Sequence, residues 1–155
     1  DLGYLTPEVK ALLAGSGYPG MKVLQFAFDR REAGDYMPHN YTPNSVVYTG
    51  THDNTTTAAW EGDAAPEDVA LARAYMACGR DEALVDAFIR TAYASVSDTA
   101  IIPMQDWLAL PAFARMNTPS KAEGNWQWRM APGAASPALA KRIRALAELY
   151  QRQGR

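Results

Sequence analysis

Cysteine is almost missing from this 155-residue chain: Cys78 is the one present, so no internal disulfide can form. Its apolar neighbours suggest an inert buried thiol. Histidine is scarce as well, and His39 and His52 are too scattered, with one cysteine, to make a metal site; none is expected. Acidic and basic residues nearly balance at a formal net charge of −2, which gives no basic field for nucleic acid. No apolar run approaches the length of a membrane span and no stretch reads as a signal peptide, so no membrane partner is expected and the expected compartment is the cytoplasm. There is no internal repeat and no low-complexity tract. What is present, 48% hydrophobic residues, suffices for one domain with a proper core. The first residue is Asp1, and it opens directly on a motif; the chain is read as a piece of something longer.

The stretch that organises the rest runs from Ser45 to Trp60, S-V-V-Y-T-G-T-H-D-N-T-T-T-A-A-W. Val46, Val47 and Tyr48 have the composition of a buried strand, which stops at Gly50. His52, Asp53 and Asn54 follow at its tip, and Thr55-Thr56-Thr57 leads into Ala58-Ala59-Trp60, which reads as the first turns of a helix. Loop tips after parallel strands are where α/β proteins place chemistry, and a carboxylate beside an imidazole contributes nothing to packing. The competing reading is an Asx-type cap that starts the next helix, with the histidine incidental.

In chain order, Asp1-Leu2-Gly3 reads as a turn leaving a strand that precedes the chain. Thr6-Pro7-Glu8 is a helix start and Gly15 and Gly17 its stop. The apolar run 21–28 predicts a strand buried on both faces and ending at Asp29. Residues 30–44 are a loop, with His39 a simple loop residue beside Pro38. A second strand is expected near 46–50. Helices are expected within 63–79 and over 81–95, the latter with Leu84, Val85, Phe88, Ile89 and Tyr93 on one side. A third strand near 99–104 ends in Gln105-Asp106, where Asp106 either faces the site or, the preferred reading, caps the Trp107 segment. Residues 107–116 form a short helix or turn interrupted at Pro111. An irregular loop over 117–132 holds Trp126 and Trp128, the latter read as a core aromatic, and a C-terminal helix spans 137–152.

Each of the three strands ends in an acid: Asp29, Asp53, Asp106. A (β/α)8 barrel builds its site from the loops at the carboxyl ends of its strands, and a whole barrel takes about 250 residues. The expected fold is therefore α/β, about three βα units of a barrel too large for this chain to close. Cut from such a barrel, the sheet would have two open edges and would expose Val23, Leu24, Phe26, Val47, Ile101 and Ile102, so either self-association or the missing part of its own barrel is the expected partner.

Four blocks, in order, resemble the 4-α-glucanotransferases called amylomaltases: D-L-G at the start, P-G-M-K-V-L-Q-F-A-F-D, V-V-Y-T-G-T-H-D-N-T-T, and A-E-G-N-W-Q-W-R. The resemblance covers nearly the whole chain. It implies that the strands are the sixth, seventh and eighth of a TIM barrel, its C-terminal part. It implies transfer of α-1,4-glucan segments to glucose or another glucan, with retention, through a covalent glycosyl-enzyme. In that family the nucleophilic Asp follows the fourth strand and the acid/base is the Glu of an E-D-L-G motif, whose D matches Asp1; both would lie upstream. Asp53 matches the third carboxylate, which stabilises the transition state, and His52 a residue that binds a hydroxyl of the same sugar. Asp29 resembles a position contacting acceptor sugars, against the alternative of a solvated loop acid, and Asn125 with Trp126 resembles the segment closing over the donor site. The implied partners are α-1,4-glucans and maltooligosaccharides, and no metal or organic cofactor is implied. The alternatives are a non-catalytic α-glucan-binding piece and a structural half-barrel that completes a separate chain.

Overall fold

Thr6 caps the first helix, and the structure, a computed structural model, describes residues 6–31 and 34–153. The turn expected at Asp1-Leu2-Gly3 lies outside the described residues. In α1 (Pro7–Ser16) the Thr6 hydroxyl accepts from the Val9 backbone at 3.3 Å, Pro7 sits where its missing N–H costs nothing, and Gly17 ends the helix at φ 72°. That left-handed conformation is where glycine carries no Cβ penalty.

Three short strands, β1 (Gly20–Val23), β2 (Ser45–Tyr48) and β3 (Thr99–Ile101), form a parallel sheet in the order β1-β2-β3. Met21 pairs with Val46, and Val47 with Ala100. The architecture is thus α/β, and every strand is shorter than its sequence suggests. The run expected as strand 21–28 leaves the sheet after Val23 and turns into α2 (Leu24–Ala27). One helical turn places Leu24, Ala27 and Phe28 on the same side, all buried, whereas in a strand Ala27 would face away from the other two. The third strand likewise ends at Ile101, and the chain turns into α6 (Met104–Trp107).

The crossover from β2 to β3 holds α3 (Thr57–Asp63), α4 (Pro66–Tyr75) and α5 (Leu84–Ala94), in the places of the helix expected to begin at Ala58-Ala59-Trp60, the one within 63–79 and the one over 81–95. Leu84, Val85, Phe88 and Ile89 are all buried, the i, i+1, i+4, i+5 stripe of a helix pressed on a core. Phe28, Trp60 and Phe88 form its aromatic centre, with ring centroids 5.3 to 6.4 Å apart. Burial of each such side chain is worth about 1.5–3 kcal/mol relative to exposure. A second cluster joins Val85, Ile89 and Trp107 to Leu139 of α7 (Pro137–Leu149), whose start is capped by Ser136.

Several expected exposures are corrected by this packing. Val23, Leu24 and Val47 are buried, the latter two inside the core cluster built with α3, α4 and α5, and Ile102 is half-buried against both clusters. Phe26 and Ile101 are exposed, at 37% and 45%. Trp128 is half-buried and belongs to neither core cluster, and Cys78 is half-buried, its sulfur 3.3 Å from the Arg73 guanidinium. Among the described residues no helix is long and apolar enough to cross a membrane.

Candidate functional site

Between β2 and α3 the chain makes a tight loop whose local work is done by residues other than Asp53. The Thr56 hydroxyl accepts from the Ala59 backbone at 3.3 Å and caps α3. Asn54 folds back so that its Oδ1 accepts from the Thr51 backbone and hydroxyl at 2.9 and 2.8 Å, which closes the turn. The capping alternative for Asp53 therefore fails: the cap lies three residues later.

The Asp53 carboxylate is turned instead toward the irregular loop that follows α6. Asn117 Nδ2 donates to its Oδ1 at 2.5 Å, and His52 Nε2 stands 3.3 Å from the same oxygen. Arg115 donates to the Asp53 carbonyl at 2.5 Å and to the Asn117 carbonyl at 2.8 Å, and the Asn117 backbone donates to the His52 carbonyl at 2.9 Å. Both loops are thus stitched together, while the His52 and Asp53 side chains stay about half exposed, at 55% and 47%. Trp126 lies against His52 with ring centroids 5.1 Å apart and an interplanar angle of 37°. It is 52% exposed and held at φ 62°, a conformation that costs a bulky residue energy and is kept only where the surroundings demand it. A carboxylate, an imidazole and an open aromatic face side by side can bind the hydroxyls and the apolar face of one polyhydroxylated ring.

Beneath this loop lies a buried polar layer that sequence reading misplaced. Asp106 does not cap the Trp107 segment; it sits inside α6, 2% exposed, and its carboxylate turns under the Asp53 loop. It accepts from the Thr49 hydroxyl at 2.5 Å, the Thr57 hydroxyl at 2.7 Å and the Thr57 backbone at 2.8 Å. Burial pushes this carboxyl above its ordinary range, against the pull of the three donors. Gln25, also buried, donates to the Thr57 hydroxyl at 3.2 Å and to the Thr55 carbonyl at 3.0 Å. The exits of all three strands thus meet under one loop.

The remaining residues singled out by sequence stand apart from this centre. Asp29 follows α2 and is held by Arg31, whose Nε and Nη2 donate to it at 2.8 and 2.6 Å; this pairing holds its carboxyl below the usual range. It lines an open groove of about 790 Å³ together with Asn54 and Trp60. Asn125 adjoins Trp126, but its amide is engaged within its own loop: Oδ1 accepts from the Thr118 backbone at 2.8 Å and Nδ2 donates to the Lys121 carbonyl at 2.9 Å. His39 pairs with the Tyr75 hydroxyl at 2.9 Å, away from the centre. Among the described residues no three His, Cys, Asp or Glu side chains stand together as a metal would need. Asn117 and Arg115 are the residues at this centre that sequence reading did not single out; Asn117-Thr118-Pro119 carries only a turn signal, and its contact with Asp53 spans 64 residues.

Comparison with known proteins gives one answer. A family model described as 4-alpha-glucanotransferase matches residues 1–135. The 4-alpha-glucanotransferase of Thermus thermophilus is 46% identical over 98% of this chain and 32% of its own length, and that of Synechocystis is 44% identical over 99% and 30%. An amylomaltase from Streptococcus agalactiae, solved in complex with acarbose, superposes with a TM-score of 0.93 at 39% identity, covering 99% of this chain and 31% of that one. The chain thus spans about a third of the length of the curated relatives it matches.

Proposed function

The chain belongs to the 4-alpha-glucanotransferase family, and on that premise we propose that it forms the C-terminal part, the sixth to eighth βα units, of the (β/α)8 barrel of an enzyme that passes α-1,4-glucan segments to glucose or to another glucan. The observation that carries this reading is the half-exposed Asp53 carboxylate, released from helix capping and held by Asn117 beside His52 and Trp126 at a parallel strand's carboxyl end. In the reaction a carboxylate nucleophile supplied by the rest of the barrel attacks the anomeric carbon, and the leaving glucan oxygen takes the proton of the acid/base carboxyl. The 4-hydroxyl of the acceptor then attacks the same carbon, returns its proton to that carboxylate, and frees the nucleophile with overall retention.

Asp53 acts between these steps. As the sugar develops oxocarbenium character, a preorganised carboxylate gains more from the transition state than from the ground state. Asn117 fixes one oxygen of that carboxylate, so no reorientation is required when charge develops. His52 binds a hydroxyl of the same sugar, and Trp126 offers its open face to the ring, with Asn125 shaping the loop that carries it. Asp29, in its separate groove, serves the acceptor side. The working compartment is the cytoplasm.

The test is the reaction of the full-length protein with maltotriose. Glucose together with longer maltooligosaccharides is the expected product pattern, with the anomeric configuration retained. Hydrolysis to glucose and maltose alone, or inverted products, overturns the reading.

A further inference from the structure

We propose that Asp106 is a positioning residue for Asp53, setting the span of the loop that carries it by binding both of the loop's ends. This rests on the reading of Asp53 given above and deepens it. Thr49 is the first residue after β2 and Thr57 the first of α3, and the Asp106 carboxylate holds the two hydroxyls at 2.5 and 2.7 Å. Gln25 ties the same end of the loop from the opposite strand exit, through the Thr57 hydroxyl and the Thr55 carbonyl.

The choice of an acid here needs a reason beyond packing. Asp106 is 2% exposed, and its three bonded partners are neutral. Burying a carboxylate with no cation beside it is costly, and a neutral group of the same shape would relieve that cost if filling space were its only task. An ionised carboxylate, however, only accepts. It commits both threonine protons inward and leaves each hydroxyl a single orientation, so Thr57 Oγ1 must in turn accept from Gln25. Both hydroxyls share one carboxylate oxygen and the Thr57 backbone N–H takes the other, so an amide in its place would set its N–H groups either against both hydroxyls, which must then turn over, or against the Thr57 N–H. The acid therefore specifies one arrangement of the loop ends, and with it one position for Asp53, while Asn117 and Arg115 hold the loop from above.

The experiment is a double-mutant cycle in the full-length protein, reading transfer from maltotriose for Asp106→Asn, Asp53→Asn and the pair. Asp106→Asn is expected to lower kcat about 10- to 100-fold with KM changed less than about twofold, because a misplaced catalytic group costs rate rather than binding. In the Asp53→Asn background the same change is expected to cost less than about twofold, since there is no carboxylate left to misplace. If Asp106→Asn does not fold, Thr49→Val removes one donor from one loop end, and the same cycle with Asp53→Asn is read from it. Losses that multiply in the pair, or a folded Asp106→Asn enzyme with normal kcat, overturn the positioning role. Normal kcat for Asp53→Asn alone overturns the reading of Asp53 and this proposal with it, so the two failures are told apart by which single variant remains active.

Discussion

Gly50 lies directly against Gln25: a Cβ on Gly50 would stand 2.6 Å from Gln25 Nε2 and 3.2 Å from its Cδ. The glycine is required by close approach, because the amide it makes room for is fixed by its bonds to Thr55 and Thr57. Gly50→Ala is expected to destabilise the full-length protein by about 1–3 kcal/mol, since the amide must withdraw and leave buried groups unpaired. In a Gln25→Ala background the same change should cost much less. Equal melting shifts in both backgrounds, measured by calorimetry, would show that the contact is not the reason for the glycine.

Asp53 and Thr56 should separate activity from stability. Asp53→Asn keeps shape and removes charge, and it is expected to lower transfer by about 10²-fold or more with little change in stability. Thr56→Ala removes the cap and is expected to cost about 1 kcal/mol of stability with transfer nearly intact. Near-normal turnover by Asp53→Asn would sink the catalytic reading.

Tyr41 is 7% exposed, and among the described residues its hydroxyl is buried without a hydrogen-bond partner. Burial pushes the phenol well above its ordinary range, so it stays neutral at all working pH values. Tyr41→Phe is therefore expected to leave the full-length protein as stable as before or more stable, because only an unpaired polar group is lost. A drop of more than about 1 kcal/mol in chemical denaturation would identify a partner for that hydroxyl outside the described residues.

The 155-residue chain by itself is expected to transfer nothing from maltotriose, with the nucleophile and the acid/base supplied elsewhere. It is also expected to self-associate. Both β1 and β3 are edge strands among the described residues, and Phe26 and Ile101 add exposed apolar surface beside them. Light scattering on the purified chain checks this: a cooperative, non-associating monomer would contradict it. Glucose release by pure chain would contradict the first expectation.

Much of the α/β fold was legible in the sequence, because apolar runs bounded by turn residues mark where strands begin. Where they end was less so. Met21 to Phe28 is apolar almost throughout, and such a run reads the same whether the chain stays in a sheet or makes one buried helical turn. The place of His52 and Asp53 just past β2 was legible because Val46 to Tyr48 read as a strand and Gly50 as its stop. Asn117, Arg115 and the true position of Asp106 were not, since each acts across a long sequence separation on a partner that no local pattern names. Asp106 shows the difficulty well: an acid before Trp107 looks like a local cap, and only the fold brings Thr49 and Thr57 to it.

The in-order parallel sheet also has a consequence for synthesis. As the chain leaves the ribosome, β2 finds β1 already made, and β3 then adds to β2, so each new strand joins a finished edge. The Asp53 loop is different, for it emerges about fifty residues before the carboxylate that fixes its ends, a gap set by the Thr57 to Asp106 separation of 49. At the elongation rates of ribosomes, about 5–20 residues per second, that is an interval of several seconds. A nascent chain stalled before Asp106 should leave the Thr57 amide open to hydrogen exchange, and one stalled well past it should protect it; equal exchange in both would remove this order of events. Translation itself acts as the clock for the site, and the short helix that follows β3 brings the carboxylate that sets its geometry.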